Sequence, residues 1–104
     1  MAKVIAHSTI CGFDHEIEAL KEGAAFVLKI KTNCEKIKKM NGMRIPERSL
    51  FDIKDNPVMA AAQELQCSAN CIVPCAVLNA CWLEAGMVAK SLVEKEGLLA
   101  IEFV

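Results

Sequence analysis

The chain has no tyrosine, one tryptophan and four phenylalanines, so Ala, Val, Ile, Leu and Met must carry its core. It has no Gly-rich phosphate loop, no HExxH and no GxSxG, which removes the phosphate-cradling, zinc-protease and serine-hydrolase signatures. It has no excess of either charge: 12 basic and 13 acidic side chains leave a net charge of −1. That balance gives no reason to expect nucleic acid or an anionic membrane as a partner. No apolar run approaches the ~18 residues of a membrane span. Met1-Ala2-Lys3 leads into only a short apolar stretch before His7 and Ser8, too short for a signal-peptide core. The expectation is a cytoplasmic protein whose thiols stay reduced. Repeats and low-complexity linkers are also missing.

What is present is thiol. Six cysteines in 104 residues fall below the density of a disulfide scaffold. Four of them lie in Gln66 to Cys81, QCSANCIVPCAVLNAC, at Cys67, Cys71, Cys75 and Cys81. Cys11 and Cys34 lie well upstream. With 54% apolar residues, 104 residues suffice for one domain with a real core.

Lys3 to Ser8 reads as a first strand and Ile10-Cys11-Gly12 as its turn. Phe13 to Leu20 alternates, with Phe13, His15, Ile17 and Ala19 on one side and Asp14, Glu16 and Glu18 on the other, the mark of a half-buried strand. Lys21-Glu22-Gly23 is a turn, and Ala24 to Lys31 a third strand. Thr32-Asn33-Cys34-Glu35 matches a capping box, which predicts a helix to about Met40 with Cys34 at its second position. Asn41-Gly42 ends it, and Met43 to Lys54 reads as a connector with one helical turn.

Asn56-Pro57 predicts an N-cap and first position for a helix to Gln66. Pro74 interrupts helical continuity and opens another helix, ending near Gly86. Leu98 to Val104 reads as a final strand able to join the meander. The sum is a single α+β domain, residues 1–104. Its mostly antiparallel sheet has about four strands, the meander plus the C-terminal strand, with helices on one face.

A meander places the Cys11 turn and the Cys34 helix start at one end of the sheet. Cys34 and Cys75, at helix starts, face free N–H groups that favour thiolate. A metal site needs four thiolates, or three with His or water, within ~2.3 Å of a zinc or on the irons of a cluster. Cys11, Cys34 and Cys71 are the preferred three, with Cys67 or Cys75 as the fourth, and the ligand set taken forward is Cys11, Cys34, Cys67 and Cys71. The spacing C-x₃-C-x₃-C-x₅-C matches neither zinc ribbons nor bacterial ferredoxins. Zinc and an iron–sulfur cluster therefore both stay open.

Free cysteine also packs as a small hydrophobe. Cys81 beside Trp82 reads that way, and Cys67 reads equally as core and as ligand. The alternative function is accordingly a non-catalytic interaction domain with reduced core cysteines, a homodimer or a binder of another protein. A third is thiol redox chemistry at Cys71-Ile72-Val73-Pro74-Cys75, which has one residue too many for a C-x-x-C motif. His7 and His15 sit at strand positions with no evident carboxylate partner, and no catalytic residue is assigned.

Ile10-Cys11-Gly12-Phe13, Thr32-Asn33-Cys34-Glu35 and Cys71-Ile72-Val73-Pro74 resemble segments of a group of small uncharacterised cysteine-containing proteins of anaerobic archaea and bacteria, a domain of unknown function. These share a CGF turn, a C-E helix start and a C-x-V-P segment before an Ala-rich helix. The resemblance spans most of the chain. It implies Cys11, Cys34 and Cys71 as the site and speaks against Cys75; it implies no activity. An anaerobic setting would favour iron–sulfur over zinc.

Overall fold

The computed structural model describes residues 1–104. Four antiparallel strands, β1 (Ala2–His7), β2 (Asp14–Glu22), β3 (Ala25–Lys31) and β4 (Arg44–Pro46), form one sheet in the order β1-β2-β3-β4. The helices are α1 (Glu35–Lys38), α2 (Pro57–Glu64), α3 (Val73–Glu84) and α4 (Lys90–Glu96), with a 3₁₀ turn at Glu47–Phe51. No helix is long and apolar enough to cross a membrane.

Period two decides which face is buried. His15, Ile17 and Ala19 of β2 point inward with Phe26, Leu28 and Ile30 of β3, and the register pairs Ile17 with Ile30 and Ala19 with Leu28. Burying a side chain of the size of Phe26 or Ile17 stabilises by roughly 1.5–3 kcal/mol. The other face is solvated and carries the Lys3–Glu16 ion pair at 3.1 Å. Gly23, at φ +61, takes the first position of the two-residue turn between the paired residues Glu22 and Ala25.

Helix α3 covers the inner face of β1 and β2. Val73, Val77, Ala80 and Cys81 are buried beneath it, and small residues such as Ala76 and Ala80 permit a close approach. Cys81 is fully buried, as expected of a core residue. Asn56 caps α2 as the sequence predicts, its Oδ1 accepting from Val58 N at 2.9 Å. Pro74 lies in the first turn of α3, which starts one residue earlier than expected, at Val73.

The fourth strand is not the C-terminal segment. Arg44–Pro46 takes the free edge of β3, pairing Phe26 with Ile45, while residues 98–104 have no regular structure and are exposed. Closing a loop that begins just after α1 orders less chain than returning the C-terminus to that edge. Pro46 is tolerated because β4 is an edge strand.

The capping box is also not made. Cys34 is itself the N-cap residue of α1 and contributes no side-chain cap. The Glu35 carboxylate turns to Lys38 Nζ at 2.8 Å, and Thr32 is held by the buried His15. Helix α1 is correspondingly short, four residues, ending at Lys38 rather than Met40.

Candidate functional site

The sheet end marked by His7, Asp14 and Lys31 gathers the chain's polar and thiol chemistry. Between β1 and β2 the chain turns through Ser8–Phe13, closed by Gly12 N to Ser8 O at 3.0 Å and Ser8 N to Phe13 O at 3.2 Å. Gly12 has φ +75, which only glycine adopts freely. Cys11 rides on this turn, exposed, its N–H donating to Ser8 Oγ at 3.3 Å.

Behind Cys11 lies His15, on the inward face of β2 and only 2% exposed. Its Nε2 is 3.8 Å from Cys11 Sγ, and its Nδ1 is 2.7 Å from Thr32 Oγ1. Thr32 Oγ1 also accepts the N–H of Cys34 at 3.0 Å. A polar chain thus runs from the exposed Cys11 thiol, through a buried imidazole, to the backbone of Cys34.

Cys67 reaches the site through the end of α2. Gln66 takes φ +60, Gln66 N donates to Gln63 O, and Cys67 N donates to Ala62 O, each at 3.0 Å. This is a Schellman ending with glutamine where glycine is usual. A left-handed non-glycine residue costs roughly 1–2 kcal/mol, so the bend is held by its surroundings. Part of that hold is Lys36 of α1, whose Nζ donates to Gln66 O at 2.8 Å. Cys71 follows in a turn closed by its N–H to Ser68 O at 3.0 Å.

Cys34, Cys67 and Cys71 are all half-buried and packed on the core. Burial pushes the Cys67 thiol up, and the negative charge of Cys71 and then of Cys34 pushes it further, against the pull of Lys36. Cys11 behaves oppositely: the Ser8 hydrogen bond, then the backbone at Phe13, hold its thiol below the ordinary range. Burial lowers His15, with Asp14 opposing. Burial in the core, then Glu84, push Cys81 up to about 12.

Of the four expected ligands, Cys34, Cys67 and Cys71 are half-buried against the core, with Cys71 and Cys34 acting on the Cys67 thiol, while the Cys11 sulfur faces His15. No three His, Cys, Asp or Glu side chains are already arranged to hold a metal ion, and all six cysteines are free. Cys75 is exposed on α3, where Asn79 Nδ2 donates to its sulfur at 3.4 Å. His7 does have a carboxylate partner: its Nδ1 lies 2.8 Å from Asp14, its neighbour in the β1–β2 register.

Sequence reasoning passed over His15 and Thr32 as partners of the thiols. The signal was available in the hairpin register, because a turn pairing Glu22 with Ala25 puts His15 opposite Thr32, one step beyond Glu16 and Lys31. No curated protein and no solved structure matches the chain. The model of a family described as Family of unknown function (DUF6951) matches residues 2–96, nearly the whole sequence, and the protein belongs to that family.

Proposed function

We propose that the protein binds a thiophilic metal ion, zinc or the iron of an iron–sulfur cluster, through the thiolates of Cys34, Cys67 and Cys71, with no reaction of its own assigned. The observation that supports this reading is the Cys67 thiol, half-buried like Cys34 and Cys71 and pushed up by burial and then by those two. Burial, and then the charge of Cys71 and Cys34, disfavour the Cys67 thiolate, and a cation that prefers sulfur offsets both. The sulfurs are not closed into a ligand set beforehand. Binding would draw the thiols together and release their protons, which makes affinity rise with pH. A reducing compartment, the cytoplasm, suits a protein with six unpaired thiols.

The test is metal and sulfide content, with an absorption spectrum, on protein purified without oxygen. The expected result is stoichiometric zinc, or iron with sulfide and broad absorption near ~400 nm. Cys34→Ser and Cys71→Ser should each lower that content, whereas Cys75→Ser should leave it unchanged. Metal-free protein, or metal indifferent to Cys34 and Cys71, ends this reading.

A second reading, an interaction domain whose thiols are simply reduced, draws on a different observation. Helix α4 has no buried residue, and the segment after it exposes Leu98, Leu99, Ile101 and Phe103. Self-association through that segment is the form of this reading that sedimentation can test.

A further inference from the structure

We propose that Cys11 is a reactive thiol that forms mixed disulfides with low-molecular-weight disulfides, activated by His15 and Thr32 behind it.

Two features set Cys11 apart from an ordinary surface cysteine. The first is that a ring 2% exposed aims Nε2 at it, and the only polar partner of that nitrogen is Cys11 Sγ at 3.8 Å. The second is that the Thr32 hydroxyl stands at the ring's other nitrogen, Nδ1. Thr32 Oγ1 already accepts the Cys34 N–H at 3.0 Å, and the acceptor in reach of its own hydroxyl proton is His15 Nδ1 at 2.7 Å. Taking that hydroxyl as the donor to Nδ1, we place the proton of the neutral ring on Nε2. That N–H faces the sulfur and favours thiolate over thiol, because a thiolate is the better acceptor. The Cys11 amide, tied to Ser8 Oγ at 3.3 Å, fixes the turn that presents the sulfur.

The exposed flanks, Ile10 and Phe13, leave the approach to Cys11 open and apolar. Thiolate chemistry selects a soft electrophile, and a disulfide sulfur is one. The Cys11 thiolate attacks one sulfur of the small disulfide. A new S–S bond forms between Cys11 and that sulfur, and the original S–S bond breaks. The departing thiolate keeps the electron pair and takes up the proton that Cys11 gave up. One disulfide is consumed and one is made, so no further oxidant enters.

Cys75 supplies an internal control, since it too is exposed, and its sulfur also receives a hydrogen bond, from Asn79 at 3.4 Å. The experiment treats the intact protein with a limiting amount of an aromatic disulfide that releases a coloured nitrothiophenolate, then locates the adduct by peptide mass mapping. Cys11 should be labelled first, at least ~5-fold faster than Cys75. Thr32→Val, which keeps the shape and removes the hydroxyl, should bring the two rates together. First labelling at any other cysteine, or equal rates in the unaltered protein, overturns the proposal, and so does a preference that Thr32→Val leaves intact. Should that variant not fold, the rate contrast in the unaltered protein decides alone. Neither Cys11 nor Cys75 belongs to the proposed metal set, so the rate contrast in the unaltered protein is read on metal-free protein, and its failure is distinct from a failure of the metal reading.

Discussion

His15 and Thr32 occupy facing positions one step past the Glu16–Lys31 pair of the β2–β3 ladder, and their side chains meet at 2.7 Å. The pair places a titratable ring inside the core. In the unfolded chain that ring takes up a proton near pH ~6.5. In the fold it does so only at lower pH, because burial disfavours the imidazolium more than Asp14 favours it. As pH falls below the unfolded value, the unfolded state binds the extra proton and gains on the native state, so stability present at neutral pH is lost through that window. Glu35 and Glu84, held low by Lys38 and by the Lys21 N–H, also lose their contributions on acidification, but only toward pH ~4. Urea midpoints should therefore drop between about pH 7 and about pH 5, and drop less in His15→Gln. Parallel pH profiles for the two proteins would show that His15 does not carry the effect.

Asn56 is 1% exposed and works in three directions. Its Oδ1 caps α2 at Val58 N, while its Nδ2 donates to Ser49 O at 3.0 Å and Asp52 O at 2.7 Å. The 3₁₀ turn and α2 are joined through this one side chain. Asn56→Ala should cost about 2–3 kcal/mol, from a lost cap plus the loss of one side-chain donor to two carbonyls, of which Ser49 O keeps only the Asp52 N–H. Asn56→Asp keeps the cap acceptor but sets a carboxylate against both carbonyls, so it should not restore stability. Chemical denaturation of the two variants checks both statements; full recovery in Asn56→Asp would mean that the cap alone matters.

The remaining thiols should separate by environment. Cys81, fully buried and with its thiol pushed up to about 12 by burial and Glu84, should resist alkylation until the protein unfolds. Cys67, half-buried and raised by burial and by Cys71 and Cys34, should lag behind the exposed Cys75 in metal-free protein at neutral pH. Timed alkylation with mass mapping reads the order directly. Early modification of Cys81 under native conditions would contradict its place in the core.

Much of the fold was readable because its signals are local. The alternation from Phe13 to Ala19 survives as the half-buried strand β2, the Gly23 turn sets the β2–β3 register, and Asn56-Pro57 starts α2. What could not be read depends on partners distant in sequence. Arg44-Ile45-Pro46 becomes a strand only because Ile45 meets Phe26 at an open edge, and its own composition argues for a connector. Thr32 and Glu35 match a capping box, yet His15 takes the hydroxyl and Lys38 the carboxylate. For the site, the meander places Cys11 and Cys34 at one end of the sheet. Which sulfur meets which group depends on side-chain direction: the Cys67 thiol feels Cys71 and Cys34, whereas Cys11 faces a histidine.

The segment from Leu98 to Val104 has the β-branched and aromatic residues of a strand but pairs with no strand of its own chain. Ile101 is 87% exposed and Phe103 75%, and the segment lies beyond the residues that match the family, 2–96. Replacing Ile101 and Phe103 by Asp should leave the stability of the monomer unchanged within about 0.5 kcal/mol, since surface positions outside the core rarely matter more. Under the interaction reading the same double substitution should abolish self-association, because strand addition at an edge such as β1 would bury two charges against apolar partners. Sedimentation of both proteins across a concentration series separates the cases. Unaltered protein that stays monomeric at the highest concentration removes the homodimer, and a dimer that survives the double substitution places its interface elsewhere.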